Sequence, residues 1–184
     1  MKIALVGPPA VGKDVVANYI EKKYKLTHIS SGNIVRDYVK NNNLGGLDRE
    51  NLQIVANKLR NEKGGDIIVK IALEKVKDNL IISGLRAIDE VESFKKSGGK
   101  IIAITAPAEK RYLFGKKRGR IGDNVSIQDF IKLEEKEQVN ADRNSQNVKK
   151  VLSMADIEIV NDGNLQNLFE KCDKVLNECL AYKK

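Results

Sequence analysis

The sequence predicts a three-layer α/β fold, in which helices cover both faces of a five-stranded parallel sheet. Short apolar runs of strand length alternate along the chain with longer segments whose apolar residues recur at helical spacing. The chain has 184 residues and is 41% hydrophobic, which is typical of one globular domain with its own core. We therefore expect a single domain over residues 1–184, with right-handed crossovers between the strands.

Five apolar runs have the length and composition of strands. Residues 3–6 form an unbroken apolar run, typical of a central strand that is covered on both faces. Residues 155–160 alternate apolar with acidic residues, which predicts an edge strand with one solvated side. The other three runs are residues 26–30, 80–83 and 101–105.

A glycine-rich segment follows the first strand. Residues 7–13 read Gly-Pro-Pro-Ala-Val-Gly-Lys and fit the GxxxxGK pattern of a phosphate-binding loop (P-loop). In such a loop the main-chain N–H groups surround the β-phosphate, the lysine reaches the β- and γ-phosphates, and the next helix adds the positive end of its dipole. The sequence thus predicts a nucleoside triphosphate site with Lys13 in a catalytic role. The nine predicted binding residues are Gly7, Pro8, Pro9, Ala10, Val11, Gly12, Lys13, Asp14 and Val15.

Asp14 departs from the usual loop, where Ser or Thr follows the lysine and its hydroxyl binds Mg²⁺. A carboxylate at this place can bind Mg²⁺ directly or through one of the waters that the ion keeps. Alternatively, Asp14 only caps the N-terminus of the helix, which favours anions. The sequence leaves both interpretations open.

Two stretches between strands are longer than simple crossovers. Residues 31–75 have helical patterns split by glycine-containing turns, which predicts an inserted helical lobe, with Asp48 and Asp66 as helix caps. Residues 108–150 carry a basic run and a strongly charged helix, which predicts a lid. The remaining segments form the predicted core: residues 1–30, 76–107 and 151–184.

The net charge of +8 indicates an anionic partner, either the phosphates of a nucleotide or a nucleic acid. The densest basic run, residues 110–120, has few aromatic residues beside it, whereas nucleic-acid surfaces more often interleave the two. Nucleic acid therefore stays an alternative to a small nucleotide. No apolar stretch approaches the length of a membrane span and no secretory signal precedes the first strand, so we expect a cytoplasmic protein.

The cysteine and histidine content excludes two kinds of site. Cys172 and Cys179 lie seven residues apart on the terminal helix, too far apart to form a disulfide, and we expect them to be core thiols. His28 is the only histidine, and we expect it to be hydrogen-bonded within the core or at a strand end. A zinc site or a Cys-His catalytic pair therefore lacks the residues it needs.

Phosphoryl transfer requires positive charge around the phosphate oxygens, so arginines should converge on the loop. Arg36 lies on the helix after the second strand. Arg86 follows the third strand, at the carboxyl edge where ligands of parallel α/β folds bind. Arg118, Arg120 and Arg143 lie in the predicted lid.

These motifs together resemble adenylate kinase and its nucleoside monophosphate kinase relatives over nearly the whole chain. The resemblance is carried by residues 7–13, 28–36 and 84–86 and by the arginines of the lid. Residues 84–92 and 155–163 are similar to short, mostly archaeal adenylate-kinase-like proteins related to dephospho-CoA kinase. The resemblance implies transfer of the ATP γ-phosphoryl group, with Mg²⁺, to a nucleoside or deoxynucleoside monophosphate (NMP).

The same resemblance implies roles for individual residues. The lobe over residues 31–75 would be the NMP-binding insertion, and the segment over residues 108–150 the lid. Arg36 and Arg86 would hold the acceptor phosphate. Arg118, Arg120 and Arg143 would close over the transferring group as catalytic residues. The residues expected to line the acceptor site are Ser31, Gly32, Arg36, Gly84 and Arg86.

Two positions differ from the pattern of these relatives. They carry Ser or Thr after the loop lysine and Asp at the end of the third strand, where this chain has Asp14 and Ser83. We hypothesise that the two groups have exchanged places and that both bind Mg²⁺.

Two alternatives to an NMP kinase remain. One is transfer to a hydroxyl group, as in dephospho-CoA kinase, which calls for a general base such as Asp14 or Asp37. The other is an adenylate-kinase-like ATPase that acts in ribosome or RNA assembly, which suits the basic charge. The identity of the acceptor, the choice of ATP over GTP and the oligomeric state are left open by the sequence.

Overall fold

A single parallel sheet of five strands forms the centre of the computed structural model, which describes residues 1–119, 125–138 and 146–181. The strands are β1 (Lys2–Val6), β2 (Thr27–Ser30), β3 (Leu80–Ser83), β4 (Lys100–Thr105) and β5 (Ile157–Val160). Their order in the sheet is β2-β3-β1-β4-β5, and all neighbours run parallel. The predicted α/β fold with five parallel strands is confirmed, as is the edge position of the strand with alternating residues.

Helices pack on both faces of this sheet. They are α1 (Lys13–Tyr24), α2 (Ser31–Asn41), α3 (Arg49–Lys63), α4 (Ile67–Lys75), α5 (Ile88–Lys96), α6 (Ala108–Arg118), α7 (Ile127–Gln138), α8 (Val148–Ser153) and α9 (Leu165–Ala181). Helices α2, α3 and α4 occupy the segment predicted as the helical lobe, and α6 and α7 occupy the segment predicted as the lid. None of the helices in the described ranges is long and apolar enough to cross a bilayer.

The alternation of side chains along β1 divides the core into two halves. Ala4 and Val6 pack on one face with residues of α2, α4, α5 and α8. Ile3 and Leu5 point to the other face and pack with α1 and α9. Burying one such isoleucine or leucine side chain stabilises the fold by about 1.5–3 kcal/mol. Two apolar layers on one central sheet give the three-layer arrangement that the sequence predicted.

Sheet register brings the ends of the central strands together. Ser83 of β3 pairs with Leu5 of β1 on one side and with Ser30 of β2 on the other. The chain leaves β1 at this carboxyl edge, and the neighbours of β1 are β3 and β4. Connections to opposite sides of a strand open a crevice at its carboxyl end, where ligands of open α/β sheets bind.

The two predicted helix caps have different outcomes. Asp48 has the extended backbone of an N-cap, and its side chain accepts a hydrogen bond from the Asn51 N–H at 3.0 Å, which confirms the prediction. The prediction for Asp66 is wrong, because no side-chain cap bond forms there. Its backbone lies near φ −101° and ψ 9° instead of the extended region, and its carboxylate pairs with Lys70 Nζ at 2.9 Å.

Both cysteines carry free thiols. Cys172 is fully buried in the layer formed by α1 and α9, and burial raises the pKa of its thiol to about 12. Cys179 packs against the same layer and is half-buried. Cys172 is therefore the core thiol that the sequence predicted.

Candidate functional site

A cavity of about 990 Å³ opens at the carboxyl edge of the sheet. Its walls come from the P-loop, from α2 and α3, from the segment after β3 and from the end of α6. Residues 9–15 of the predicted loop line the cavity, whereas Gly7 and Pro8 are not among its lining residues. The volume lies at the upper end of the range for ligand pockets, which leaves room for two substrates.

The backbone of the P-loop explains why its glycines are needed. Gly7 has φ +146°, and a Cβ there would lie 2.2 Å from the Ile104 carbonyl oxygen. Gly12 has φ +97°, in a region that favours glycine. The chain therefore turns sharply from β1 into α1, and the first residues of this helix line the cavity, where its N-terminus favours an anion.

Lys13 is the first residue of α1 and lines the cavity. Its ammonium group donates hydrogen bonds to the carbonyl oxygens of Gly7 at 2.9 Å and of Pro8 at 2.6 Å. The charge is thus held over the loop, beside the N–H groups that would surround a polyphosphate. The catalytic role of Lys13 stays a prediction.

The two predicted metal ligands both line the cavity. Asp14 lies in the first turn of α1, and Ser83 lies at the end of β3 and is 2% exposed. Ser83 Oγ is 2.9 Å from His28 Nε2, and burial lowers the pKa of His28, which favours a neutral imidazole. In the tautomer that carries its hydrogen on Nδ1, Nε2 accepts the hydroxyl proton and the lone pairs of Ser83 Oγ stay available. Carboxylate and hydroxyl oxygens fit the preference of Mg²⁺ for hard ligands, so Asp14 and Ser83 fit this ion.

Few protein ligands are available for a metal. No group of three or more His, Cys, Asp or Glu side chains converges anywhere in the ranges that the structure describes. Mg²⁺ commonly keeps several waters and binds through one or two protein groups together with substrate phosphates. That pattern of binding matches what Asp14 and Ser83 can offer.

The part of the cavity that the sequence predicted to bind the acceptor, called the acceptor side below, is built around the first turn of α2. Ser31, Gly32 and Arg36 all line the cavity. A Cβ on Gly32 would lie 3.1 Å from Arg36 Nη1, so the glycine leaves room for the guanidinium to fold back over the start of its own helix. Arg36 Nη1 also donates to Asn33 Oδ1 at 3.1 Å. The guanidinium therefore lies beside the N-terminus of α2, where an anion would meet both.

Gly84 connects β3 to the acceptor side. Its carbonyl oxygen accepts a 2.7 Å hydrogen bond from Ser31 Oγ, and its N–H donates to the Leu5 carbonyl at 2.8 Å. Gly84 has φ +89°, and a Cβ there would lie only 2.8 Å from Ser31 Oγ. The turn thus requires glycine for its backbone angle and for its close approach to Ser31.

We predict that Gly84→Ala raises the KM for the acceptor about tenfold or more, because the methyl group displaces Ser31 and the turn that carries Arg86. Gly98→Ala is the matched control. Gly98 also has a positive φ of +81°, but a Cβ there meets nothing within 4 Å. Both variants should lose about 1–2 kcal/mol from backbone strain. Equal acceptor KM values in steady-state kinetics of the two variants would contradict the role given to the Gly84 turn.

Arg86 joins the acceptor side to the end of the lid segment. Its Nη1 donates to Gln146 Oε1 at 2.9 Å, and its carbonyl accepts from the Asn147 N–H at 2.8 Å. Its own N–H donates to Glu90 Oε2 at 2.7 Å. Arg86 lines the cavity, in a position fixed by contacts from both sides.

One of the three lid arginines is placed at the cavity. Arg118, at the end of α6, is exposed and lines the cavity together with Phe114 and Lys117. Arg120 and Arg143 lie outside the described residues, so their predicted roles stay predictions.

Sequence reasoning missed two side chains of the site. Asn161 is buried just after β5, and its Nδ2 donates to the Val11 carbonyl of the P-loop at 3.1 Å. Asn161 follows the carboxyl end of a strand, where ligands of parallel α/β sheets bind, and this position could have identified it as a site residue from the sequence. Arg60 is 2% exposed on α3 and lines the cavity. It follows Leu52 and Ala56 at four-residue spacing, and a charged residue in such an apolar stripe is the signal that was available.

Comparison with protein families gives a match that begins within β1. The family model described as "AAA domain" matches residues 6–129. A UPF0200 protein of Thermococcus sibiricus is 33% identical over 196 residues, which covers 100% of this chain and 97% of the relative. A UPF0200 protein of Thermococcus onnurineus is 31% identical, covering 98% of this chain and 99% of the relative.

One relative is much longer than this chain. A UPF0200/UPF0201 protein of Archaeoglobus fulgidus is 32% identical over 183 residues, and the chain spans 54% of its length. These relatives are archaeal, as the sequence resemblance implied. The finer resemblance to adenylate kinase stays a prediction.

Solved structures with a similar fold include shikimate kinases. The enzyme of Bacteroides thetaiotaomicron superposes with a TM-score of 0.65 at 14% identity, over 98% of both chains. The enzyme of Acinetobacter baumannii in complex with shikimate gives a TM-score of 0.59 at 14% identity, over 99% of this chain and 94% of that one. Likeness at such low identity concerns the fold alone. The chain therefore has the P-loop kinase fold and belongs to the UPF0200 family.

Proposed function

We propose that this protein is a Mg²⁺- and ATP-dependent kinase that transfers the γ-phosphoryl group to a nucleoside monophosphate. The observation that carries the proposal is the distribution of cations in one cavity. Lys13 of the P-loop, Arg36 of α2 and Arg86 after β3 all line this cavity. Cations contributed by separate segments suit two phosphorylated substrates whose reacting ends meet in one site.

The chemistry of the cavity favours an acceptor that is already ionised. Asp14 is the only carboxylate among the described residues that line the cavity, and no histidine lines it. Asp37, the other candidate base, is exposed on α2 and does not line the cavity. An alcohol acceptor would need a general base, so Asp14 would have to serve as base and metal ligand together. A phosphate oxygen needs no such base.

The residues of this chain then divide the work of the reaction. Arg36 and Arg86 hold the acceptor phosphate so that one of its oxygens faces the donor. That oxygen forms the new bond to the γ-phosphorus, and the bond to the β–γ bridging oxygen breaks. Lys13, the P-loop N–H groups and Arg118 stabilise the negative charge on the phosphate oxygens during the transfer. Mg²⁺, when held by Asp14 and Ser83, neutralises further charge on the donor phosphates.

We predict that Asp14→Asn lowers Mg²⁺-dependent turnover about a hundredfold, while nucleotide binding without metal changes less than about threefold. The amide keeps the shape of the side chain but loses the charge that binds the cation. Steady-state kinetics over a range of Mg²⁺ concentrations and calorimetry in EDTA measure the two effects. Asp37→Asn removes a carboxylate away from the cavity and should change neither. If Asp14→Asn instead lowers turnover and metal-free nucleotide binding by the same factor, Asp14 caps the helix and does not bind the metal.

A coupled assay of ADP formation tests the proposed activity. ATP is offered with a panel of ribo- and deoxynucleoside monophosphates, with dephospho-CoA, with RNA and without any acceptor. Activity that depends on a nucleoside monophosphate supports the proposal. Activity only with dephospho-CoA would replace it with transfer to a hydroxyl group. ADP formation that needs no acceptor and is stimulated by RNA would replace it with an ATPase acting in RNA assembly.

A further inference from the structure

Helix α3 turns one face toward the acceptor end of the cavity. The lining residues on that face are Arg49, Leu52, Gln53, Ala56 and Arg60. Arg60 is the most buried residue on this face of α3, with 2% of its surface exposed, and Ile68 of α4 lines the cavity with it. Burying an arginine at a cavity wall costs free energy unless its N–H groups have hydrogen-bond acceptors.

Glu90 fixes the position of the Arg60 guanidinium. Arg60 Nε donates to Glu90 Oε1 at 2.8 Å, and Glu90 has no exposed surface. The second carboxylate oxygen accepts the N–H groups of Arg86 at 2.7 Å and Ala87 at 3.1 Å. Arg60 Nη1 donates to Asn57 Oδ1 at 3.1 Å. These hydrogen bonds fix the positions of Arg60 and Glu90, so the guanidinium is preorganised in the protein without a ligand.

The Nη2 amino group of Arg60 is the part left for a ligand. It has no hydrogen-bond partner within ranges 1–119, 125–138 and 146–181, and Arg60 is one of the residues that line the cavity. Guanidinium N–H groups donate and never accept, so they pair only with oxygen or nitrogen lone pairs. Gln53, on the same wall, has an amide that can donate or accept and thus does not discriminate.

The surroundings of Arg60 suit a neutral hydrogen-bond acceptor better than a second phosphate. The Glu90 carboxylate, 2.8 Å from Arg60 Nε, already balances the guanidinium charge and would repel an added anion. Leu52, Ala56 and Ile68 provide apolar surface of the kind that covers a flat ring.

We propose that Arg60 selects acceptor nucleotides whose base presents a keto oxygen, and disfavours bases with an amino group at the same place. This inference rests on the proposed function, because it assigns the acceptor end of that site. Guanine, hypoxanthine, uracil and thymine offer a keto oxygen where adenine and cytosine offer an amino donor. An amino group facing Arg60 would leave donors on both sides without acceptors in a water-poor pocket.

Matched nucleotide pairs test the proposal on the unmodified protein. Inosine monophosphate differs from AMP, and UMP differs from CMP, by a keto oxygen in place of an amino group. The ring nitrogen beside the keto group also carries a hydrogen that it lacks in the amino base. We expect calorimetry to give a dissociation constant at least about tenfold lower for the keto member of each pair. Equal or tighter binding of both AMP and CMP would overturn the proposal.

Variants of Arg60 test whether this residue causes the preference. Arg60→Lys keeps a charge opposite Glu90 but lacks the fork of donors, so the keto preference should fall below about threefold. Arg111→Lys is the control, since Arg111 forms an ion pair with Glu134 but does not line the cavity. Retention of the full preference in Arg60→Lys would overturn the assignment.

The double variant Arg60→Gln with Glu90→Gln covers the case in which Arg60→Lys does not fold, because it leaves no unbalanced buried charge. It should bind the two members of each nucleotide pair equally, and a preserved keto preference would overturn the assignment. Failure of the proposed function is distinguishable. It would appear as no phosphorylation of any monophosphate, whereas equal use of AMP and inosine monophosphate would overturn only the role of Arg60.

Discussion

Lys13→Ala should lower kcat/KM for ATP by at least about a hundredfold and weaken donor binding measurably. The ammonium group lies over the P-loop, where it bonds to the carbonyls of Gly7 and Pro8, and it lines the same cavity as Arg36 and Arg86. Its removal takes a positive charge away from the site where the donor phosphates would lie. Steady-state kinetics and fluorescence titration with an ATP analogue measure the two effects.

Lys22→Ala is the control for this variant. Lys22 lies in the last turn of the same helix, is exposed and is not among the cavity-lining residues. Its removal changes the net charge by the same amount without touching the loop. If Lys13→Ala retains the donor affinity and turnover of Lys22→Ala, the P-loop does not act as the donor site.

Glu90→Ala should lower the free energy of unfolding by about 3–5 kcal/mol, the largest stability effect that we expect in this protein. Arg60 would keep its charge in a buried place without the carboxylate that lies 2.8 Å from its Nε. The N–H groups of Arg86 and Ala87 would also lose their acceptor. Urea denaturation followed by circular dichroism measures the effect.

Two further variants separate the ion pair from the loss of side-chain volume. Glu74→Ala, at an exposed position on α4, should cost less than about 0.5 kcal/mol. The double variant Arg60→Met with Glu90→Met should regain the part of the stability that is lost to the unbalanced charge, while the Arg86 and Ala87 N–H groups still lack their acceptor. A loss below about 1 kcal/mol for Glu90→Ala would contradict the structural role of the pair.

The Arg60–Glu90 pair also connects two parts of the site. Arg60 belongs to α3 and contacts the cavity, whereas Glu90 lies in the first turn of α5 and holds the main chain at Arg86. One carboxylate therefore positions a residue of the helical lobe and the turn that carries an acceptor arginine. Substitutions at Glu90 are thus expected to alter acceptor binding as well as stability.

The parts of the site that lie in one segment could be predicted from the sequence. The P-loop is contiguous, and its glycines and Lys13 stand at fixed spacing between a strand and a helix. Arg36 and Arg86 could be located because each follows a strand, and parallel strands end at one edge. Local pattern and sheet topology together were sufficient for these residues.

Contacts between distant segments could not be predicted in this way. Arg60 and Glu90 are 30 residues apart, and Asn161 reaches Val11 across 150 residues. The hydrogen bond of Ser83 to a histidine depends on the register of β2 against β3, which the sequence does not specify. Segments that are distant in the sequence must pack together before any of these contacts exists, so no local pattern predicts them.

The helix cap at Asp66 shows a related difficulty on a smaller scale. Its residue type suits an N-cap, yet its backbone takes an angle that turns the carboxylate toward Lys70. Asp48 has the same side chain, but its extended backbone places the carboxylate on the Asn51 N–H. The residue type gives a preference for the N-cap position, but the backbone conformation of that residue decides whether its side chain caps the helix.

Phosphoryl transfer between two nucleotides in this cavity can be followed directly by ³¹P NMR. ATP, Mg²⁺ and a mixture of nucleoside monophosphates are incubated with the protein, and the phosphorus resonances are followed over time. We expect ADP from the donor and the diphosphate of the accepting nucleotide to appear in equal amounts, with no matching rise in inorganic phosphate. Formation of ADP and inorganic phosphate alone, or no reaction under conditions in which the protein is folded, would contradict this transfer.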